Sequence, residues 1–196
     1  MRHRILYHNF LYLLIITAII SCKDHNYVPK PHGYFRIDLP EKKYEVYDSV
    51  YPFRFKIPQY ASIKELSSEL SISRKINMDF LGYNATLHLT YLPVRNNLNT
   101  YISDAFKYVN KHIPKANNIE EHLYTNPSKH VYGITYHIEG IGVASPYQFF
   151  ITDSIHHFLR GALYFNMAPN NDSLAPVINY IVQDIDTMIS SFEWKY

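Results

Sequence analysis

The only cysteine of the chain, Cys22, directly follows a short apolar run. Two arginines precede this run, which extends over residues 10–20 and ends in the lipobox-like sequence Ile19-Ile20-Ser21-Cys22. A basic start, a short apolar stretch and a small residue at the cleavage position are typical of a secretion signal, whereas a membrane-spanning helix needs about 20 apolar residues. The sequence therefore predicts a signal peptide over residues 1–21. Cys22 is predicted to become the lipid-modified first residue of a mature bacterial lipoprotein.

Lipidation of Cys22 would leave the mature chain without a thiol for a disulfide, a thiolate metal site or a cysteine nucleophile. The full chain has 19 Lys+Arg and 17 Asp+Glu, and two of the arginines lie in the predicted signal, so 17 basic residues remain against 17 acidic ones. A formally neutral mature protein provides no basic field for nucleic acid. Residues 22–33 contain prolines and a glycine and are predicted to be a tether, and residues 34–196 are predicted to form one domain.

Several stretches of the mature chain alternate apolar with polar residues, which predicts half-buried antiparallel strands. The predicted strands cover residues 34–39, 53–57, 86–91, 132–139, 147–152 and 157–167. Two other stretches have apolar residues at three- and four-residue spacing, which predicts amphipathic helices over residues 98–113 and 174–192. Residues 193–195 are predicted to add a short strand. The fold class predicted from this order is α+β, with a mostly antiparallel sheet and two amphipathic helices packed on it.

The ends of the two helices have recognisable capping candidates. Asn97 or Asn99 is predicted to cap the first helix, which Pro114 limits, and Asp172 or Ser173 is predicted to cap the second. Pro176 is predicted to lie in the first turn of the second helix, where a missing backbone N–H is tolerated.

Common enzyme motifs are missing from the chain: it has no glycine-rich phosphate loop, no G-x-S-x-G and no H-E-x-x-H. Ser145 lacks the glycines of a nucleophile elbow and is interpreted as part of a loop that enters a strand. His88 and His137 are predicted to approach each other in the sheet, but the sequence supplies no further ligands for a metal. Exposed or hydrogen-bonded histidines are the favoured interpretation. The acid pairs Glu120-Glu121 and Asp184 with Asp186 are interpreted as a solvated loop and a solvated helix face.

Five runs of residues carry a family resemblance in their order and spacing. They are residues 29–40 (PKPHGYFRIDLP), residues 89–94 (LTYLPV) with 96–98 (NNL), residues 131–133 (VYG), residues 152–154 (TDS) followed by 157–165 (HFLRGALYF), and Asn170, Asp172, Ser173 and Pro176 at the last helix. Together they resemble the gliding motility lipoprotein GldD family of the Bacteroidetes over nearly the whole mature chain. The resemblance departs at two positions, because relatives often have a cysteine before the Pro-Phe segment and another near residue 74. Tyr51 and Arg74 stand there in this chain, so any disulfide of the family is absent.

The resemblance implies a membrane-anchored lipoprotein of the cell envelope that is required for gliding and linked to type IX secretion. It implies partners among the envelope proteins of those machineries, no nucleic-acid partner, and neither enzyme activity nor cofactor. The order of elements is also similar to the Mog1/PsbP type of α+β fold, an analogy that carries no functional information.

Three functional hypotheses follow from these observations. The first is a non-enzymatic assembly or scaffold factor that faces the periplasm; the second is a periplasmic or surface binding module for a small molecule, lipid or glycan. The third is a hydrolase whose residues assemble only in the fold. The candidate partner-binding residues are polar members of the matched runs, namely Arg36, Asp38, Asp153, His157 and Arg160. Gly133 and Gly161 are interpreted as positions of tight packing.

Overall fold

The computed structural model describes residues 37–66 and 73–195. The predicted signal peptide, the tether, Cys22 and Arg36 therefore lie outside the described residues. The ten strands are β1 (Tyr44–Asp48), β2 (Phe53–Pro58), β3 (Ala61–Glu65), β4 (Arg74–Phe80), β5 (Ala85–Pro93), β6 (Asn118–Asn126), β7 (Val131–Glu139), β8 (Tyr147–Thr152), β9 (His157–Phe165) and β10 (Glu193–Trp194). The two α-helices are α1 (Leu98–Asn110) and α2 (Asn171–Ser191). Within the described ranges, no helix is both long enough and apolar enough to cross a membrane.

The strands form two antiparallel sheets. The large sheet has seven strands in the order β3-β4-β5-β9-β8-β7-β6, and the small one has three in the order β1-β2-β10. All pairings in both sheets are antiparallel. The predicted α+β class is confirmed, and so is the short strand formed by the tail, which pairs Trp194 with Phe53.

The two helices cover opposite faces of the large sheet. On one face, α2 and the small sheet enclose an aromatic core in which Phe53, Phe55 and Phe192 stack on one another. On the other face, Ala105 and Val109 of α1 pack in a second cluster that contains Phe150 and Phe158. Because both faces are covered, most residues of the central strands are buried, and all six residues of β8 are buried. The simple alternation of an inner and an outer face, which holds for β2, does not describe these central strands.

Helix positions agree with the sequence prediction more closely than helix ends do. The residue before α1 is Asn97, but its side chain accepts from the N–H of Arg95 and donates to Tyr101 Oη, so it makes no capping bond. Before α2 stands Asn170, again without a side-chain cap. Because α2 begins at Asn171, Pro176 lies beyond the first turn, inside the helix.

Several strands differ from the sequence prediction. Residues 37–39, the described part of the first predicted strand, belong to no strand. The predicted solvated loop around Glu120-Glu121 is wrong, because both residues lie in β6. This strand forms one edge of the large sheet and is mostly exposed, so its sequence lacks the apolar alternation that reveals a half-buried strand.

Gly133 and Gly161 occupy positions where a side chain does not fit. A Cβ on Gly133 would collide with the carbonyl oxygen of Phe150, and one on Gly161 would collide with the ring of Phe149. The interpretation of both glycines as sites of close packing is confirmed. The first contact is with backbone of the neighbouring strand and cannot be relieved by a side-chain rotation.

Candidate functional site

The turn between β8 and β9 is built around Asp153. Its Oδ1 atom accepts the backbone N–H groups of Ile155 (3.0 Å), His156 (2.8 Å) and His157 (2.8 Å). Ser154 adopts a left-handed conformation with φ 70°, and the predicted turn at residues 153–154 is thus confirmed. Burial would raise the pKa of the Asp153 carboxyl, but the three backbone donors outweigh burial and hold its pKa below the usual value.

The depressed pKa of Asp153 predicts a pH-dependent contribution to stability. A carboxyl whose pKa is lower in the folded state stabilises the protein fully above its unfolded pKa, about 4, and this stabilisation is lost as pH falls through the folded value. We expect urea unfolding at pH 7 to show Asp153→Asn less stable than wild type, and the difference to shrink below about pH 4. A difference that stays constant down to pH 2.5 would contradict this account of the turn.

His157 lies under the same turn and joins three strands. Its Nδ1 atom is 2.9 Å from Tyr91 Oη of β5, and its ring stacks on Trp194 of β10 with a centroid distance of 5.0 Å. Burial lowers the pKa of the His157 imidazole, although the nearby Asp153 carboxylate acts in the opposite direction. The neutral His157 ring therefore has a structural role here: it packs on Trp194 and hydrogen-bonds to Tyr91 at the edge of the core.

Next to the β8–β9 turn lies a small exposed surface, which we call the turn surface. It is a groove of about 330 Å³ lined by Val94, Asn96, Leu98, Asn99, Ser154 and Ile155. The N–H of Val94 donates to the carbonyl of His156 (2.7 Å), which links the β5–α1 connection to the β8–β9 turn. Ile155 is 66% exposed at the tip of the turn. Two of the family-like runs, far apart in sequence, therefore meet at one surface.

Arg160 does not belong to the turn surface. Its side chain projects from β9 toward α1, where it donates to Gln148 Oε1 (2.7 Å) and lies over the ring of Tyr108 at 4.4 Å. Burial lowers the pKa of its guanidinium. Asp38 lies in the exposed segment before β1. Of the predicted candidate residues, the structure thus brings Asp153 and His157 together and places Arg160 and Asp38 elsewhere.

Asp184, an acid that the sequence analysis assigned to solvent, is the centre of a buried polar cluster. Asp184 of α2 is 1% exposed, so the prediction of a solvated helix face is wrong for this residue. Its carboxylate accepts from Lys42 Nζ (2.8 Å), Tyr44 Oη (2.7 Å) and Tyr60 Oη. We call these four residues the Asp184 clamp. Asp186, two residues along, is exposed as predicted and accepts from Tyr147 Oη (2.6 Å).

The Asp184 clamp holds the segment that precedes β1 onto α2. Lys42 also donates to the carbonyl of Tyr180 (2.5 Å) and lies over its ring at 4.1 Å, while Tyr180 Oη donates to the carbonyl of Pro40 (2.8 Å). Burial, followed by the bond to Asp184, strongly raises the pKa of Tyr60, so this phenol stays protonated as a donor.

A signal for this cluster was present in the sequence. Asp184 lies three residues after Ile181 and four before Met188, so it falls on the apolar stripe of the helix. An acid inside such a stripe needs buried donors.

The clamp and the turn surface lie at opposite ends of the sheet. Tyr83 in the β4–β5 connection packs against Tyr180, next to the clamp. Ala85, the first residue of β5, pairs with Phe165 at the end of β9. At the other end of the same two strands, Pro93 pairs with His157 under the turn surface. Eight residue steps along β5 separate the ends by about 27 Å.

The predicted approach of His88 to His137 is wrong. Strands β9 and β8 lie between β5 and β7, which carry these histidines. His88 contacts Asn77 and Tyr164, whereas His137 packs against His122 and Tyr147. In the part of the chain that the structure describes, no group of three His, Cys, Asp or Glu side chains is placed to hold a metal ion.

Comparison with known proteins identifies the family. A family model described as "Gliding motility lipoprotein GldD" matches residues 24–194. The chain belongs to this family. It is therefore a gliding motility lipoprotein anchored to a membrane of the cell envelope, in a family not known for enzymes. No curated protein and no solved structure matches the chain.

Proposed function

We propose that this GldD-family lipoprotein is a non-enzymatic assembly or scaffold factor of the gliding and type IX secretion machinery. Lipidated Cys22 holds it to the membrane, its domain faces the periplasm, and the turn surface contacts an envelope protein of that machinery. The observation that carries this proposal is the position of the turn surface, at the end of the sheet away from the Asp184 clamp.

The position of the clamp explains how the domain is presented. Pro40 and Lys42 are fixed against Tyr180 and Asp184, so the chain that leads toward Cys22 joins the domain at the clamp end. The turn surface lies about 27 Å along the strands from that end. Attachment to the membrane raises the effective concentration of a weak contact at this surface.

The chemistry of the turn favours a contact surface over a catalytic one. The Asp153 carboxylate is occupied by backbone donors, and the His157 Nδ1 atom is within hydrogen-bond distance of Tyr91 Oη. These groups shape the turn, while the side chains that reach solvent are the apolar Ile155, the imidazole of His156 and neighbouring small polar groups. The exposed side chain of Ile155 offers apolar area that a partner can bury.

Ile155→Asp tests the turn surface directly. Because Ile155 is 66% exposed, we expect the domain to fold with an unchanged thermal midpoint. We expect colony spreading to fall sharply, together with recovery of motility or secretion proteins after crosslinking and co-purification from envelopes. The measurement is quantitative mass spectrometry of the captured proteins, at equal lipoprotein levels.

Leu81→Asp is the matched control for this experiment. Leu81 is 60% exposed and lies in the connection between β4 and β5, at the clamp end of the sheet. The same chemical change there is expected to leave spreading and capture intact. Equal loss in both variants, or no loss in Ile155→Asp, would reject the turn surface as the contact. Failure of the wild type to capture any component of the machinery would reject the scaffold role.

A further inference from the structure

A second groove lies between the end of α2 and the small sheet, away from the residues of the turn surface. It has a volume of about 530 Å³ and is lined by Val46, Arg54, Phe55, Lys56, Lys129, Thr187, Ser190, Ser191 and Glu193. We call it the α2 groove. Its walls come from β1, β2, the turn before β7, the last turn of α2 and β10.

The charges of the α2 groove favour an anionic ligand. Three cationic side chains face one carboxylate, a formal excess of two positive charges. Arg54 Nη2 and Lys129 Nζ pair with Glu193 at 2.6 and 3.2 Å, and both cations lower the pKa of that carboxyl. Since a guanidinium has five N–H donors and an ammonium has three, this pairing leaves donors on both side chains. Lys56 is exposed, and only its backbone N–H is engaged by a side chain, Ser191 Oγ at 2.9 Å.

The hydroxyl groups of the α2 groove indicate a second property of the ligand, namely that it carries hydroxyl donors. Thr187, Ser190 and Ser191 donate their hydrogens to helix carbonyls at 2.9, 3.0 and 3.0 Å. Ser191 Oγ already accepts the N–H of Lys56 and keeps one lone pair, whereas the Ser190 and Thr187 oxygens remain as acceptors, and Glu193 is an acceptor as well. Acceptors beside a surplus of cations match a ligand that carries both hydroxyl donors and a negative charge. Val46 of β1, 62% exposed, offers an apolar contact for C–H groups.

We propose that the α2 groove binds an acidic saccharide, a sugar chain that bears carboxylates. The ligand carboxylate lies against Lys56 and the free donors of Arg54 and Lys129. Ligand hydroxyls donate to the Thr187, Ser190 and Ser191 oxygens, and a sugar ring lies on Val46. The groove opens to solvent along the protein surface, which suits a chain of sugars more than an enclosed small molecule. This binding is independent of the turn surface.

The test uses the mature lipoprotein in detergent and fluorescently labelled tetragalacturonate, followed by fluorescence anisotropy. The uncharged probe is the methyl ester of the same tetrasaccharide, and inorganic phosphate is the competitor. We expect the acidic tetrasaccharide to bind at least about tenfold more tightly than its ester, because charge-assisted hydrogen bonds contribute the difference. Phosphate at the concentration of the unlabelled sugar should displace little of the probe.

Two variants locate the binding. Lys56→Glu should weaken binding of the tetrasaccharide by about tenfold or more. Lys43→Glu makes an equal charge change at an exposed residue outside the α2 groove. It should change binding by less than about twofold. Ser190→Ala should weaken it a few-fold while the charge stays constant. Equal binding of acid and ester, equal effects of the two lysine variants, or full displacement by phosphate would each overturn the proposal. Absence of wild-type binding would do the same.

Discussion

Replacement of Asp184 by alanine is expected to destabilise the domain by about 3 kcal/mol or more, the range found when one partner of a buried ion pair is removed. Asp184 is 1% exposed and its carboxylate accepts from an ammonium and two phenols. Without it, Tyr60 and Tyr44 lose their acceptor and Lys42 loses its counter-ion. Because Lys42 keeps a fifth of its side-chain surface exposed, some of its charge is rehydrated, which limits the loss. Urea unfolding followed by circular dichroism measures the difference.

The control for this prediction is Asp104→Ala on α1. Asp104 pairs with Lys107 at 2.9 Å on an exposed helix face, with side chains 47% and 68% exposed. Surface pairs of this kind contribute less than about 1 kcal/mol. If both alanine variants lost the same small amount, Asp184 would not be a structural anchor. A second readout is proteolysis at residues 37–43, which should accelerate only in Asp184→Ala, since Pro40 and Lys42 are held by this part of α2.

Much of the fold could be predicted because burial on one side leaves a periodic pattern. Strand β2 alternates Phe53, Phe55 and Ile57 with exposed residues, and the structure confirms it. The apolar stripe of α2 was equally clear, and nine residues of the helix are buried. Edge strand β6 escaped prediction because it is mostly exposed and has little apolar surface to reveal. Strand β8 was predicted with its observed bounds, although it is buried on both faces.

The candidate site could be predicted only in part, because neighbours along a strand point to opposite faces. The turn in the run from residue 152 to 165 is where it was expected. Within that run, however, His157 faces Trp194 while Arg160 faces Tyr108 under the other helix. Their closeness in sequence could not show that these two side chains lie on opposite faces of the sheet.

Asp184 illustrates a different limit of sequence reasoning. Its donors Lys42, Tyr44 and Tyr60 precede it by more than 120 residues, so no local pattern joins them. Only the packing of the segment before β1, the start of β1 and the β2–β3 connection against α2 brings these four residues together. The interpretation of Asp184 as solvated followed the base preference of charged residues for the surface. Its place on the apolar stripe was the observation that should have outweighed that preference.

Cys22→Ala is expected to abolish colony spreading and export of a type IX cargo, while immunoblotting finds the protein at a normal level. Two or more acyl chains hold a protein stably at a membrane, and without them a weak contact at the turn surface loses its high effective concentration. Fusion of residues 34–196 of the chain to an unrelated membrane-spanning anchor provides the decisive control. If membrane attachment of the domain is what matters, this fusion should restore both colony spreading and export without a lipid. Normal spreading and export by the released Cys22→Ala protein would instead favour a soluble binding module, and would leave the α2 groove as the site to pursue.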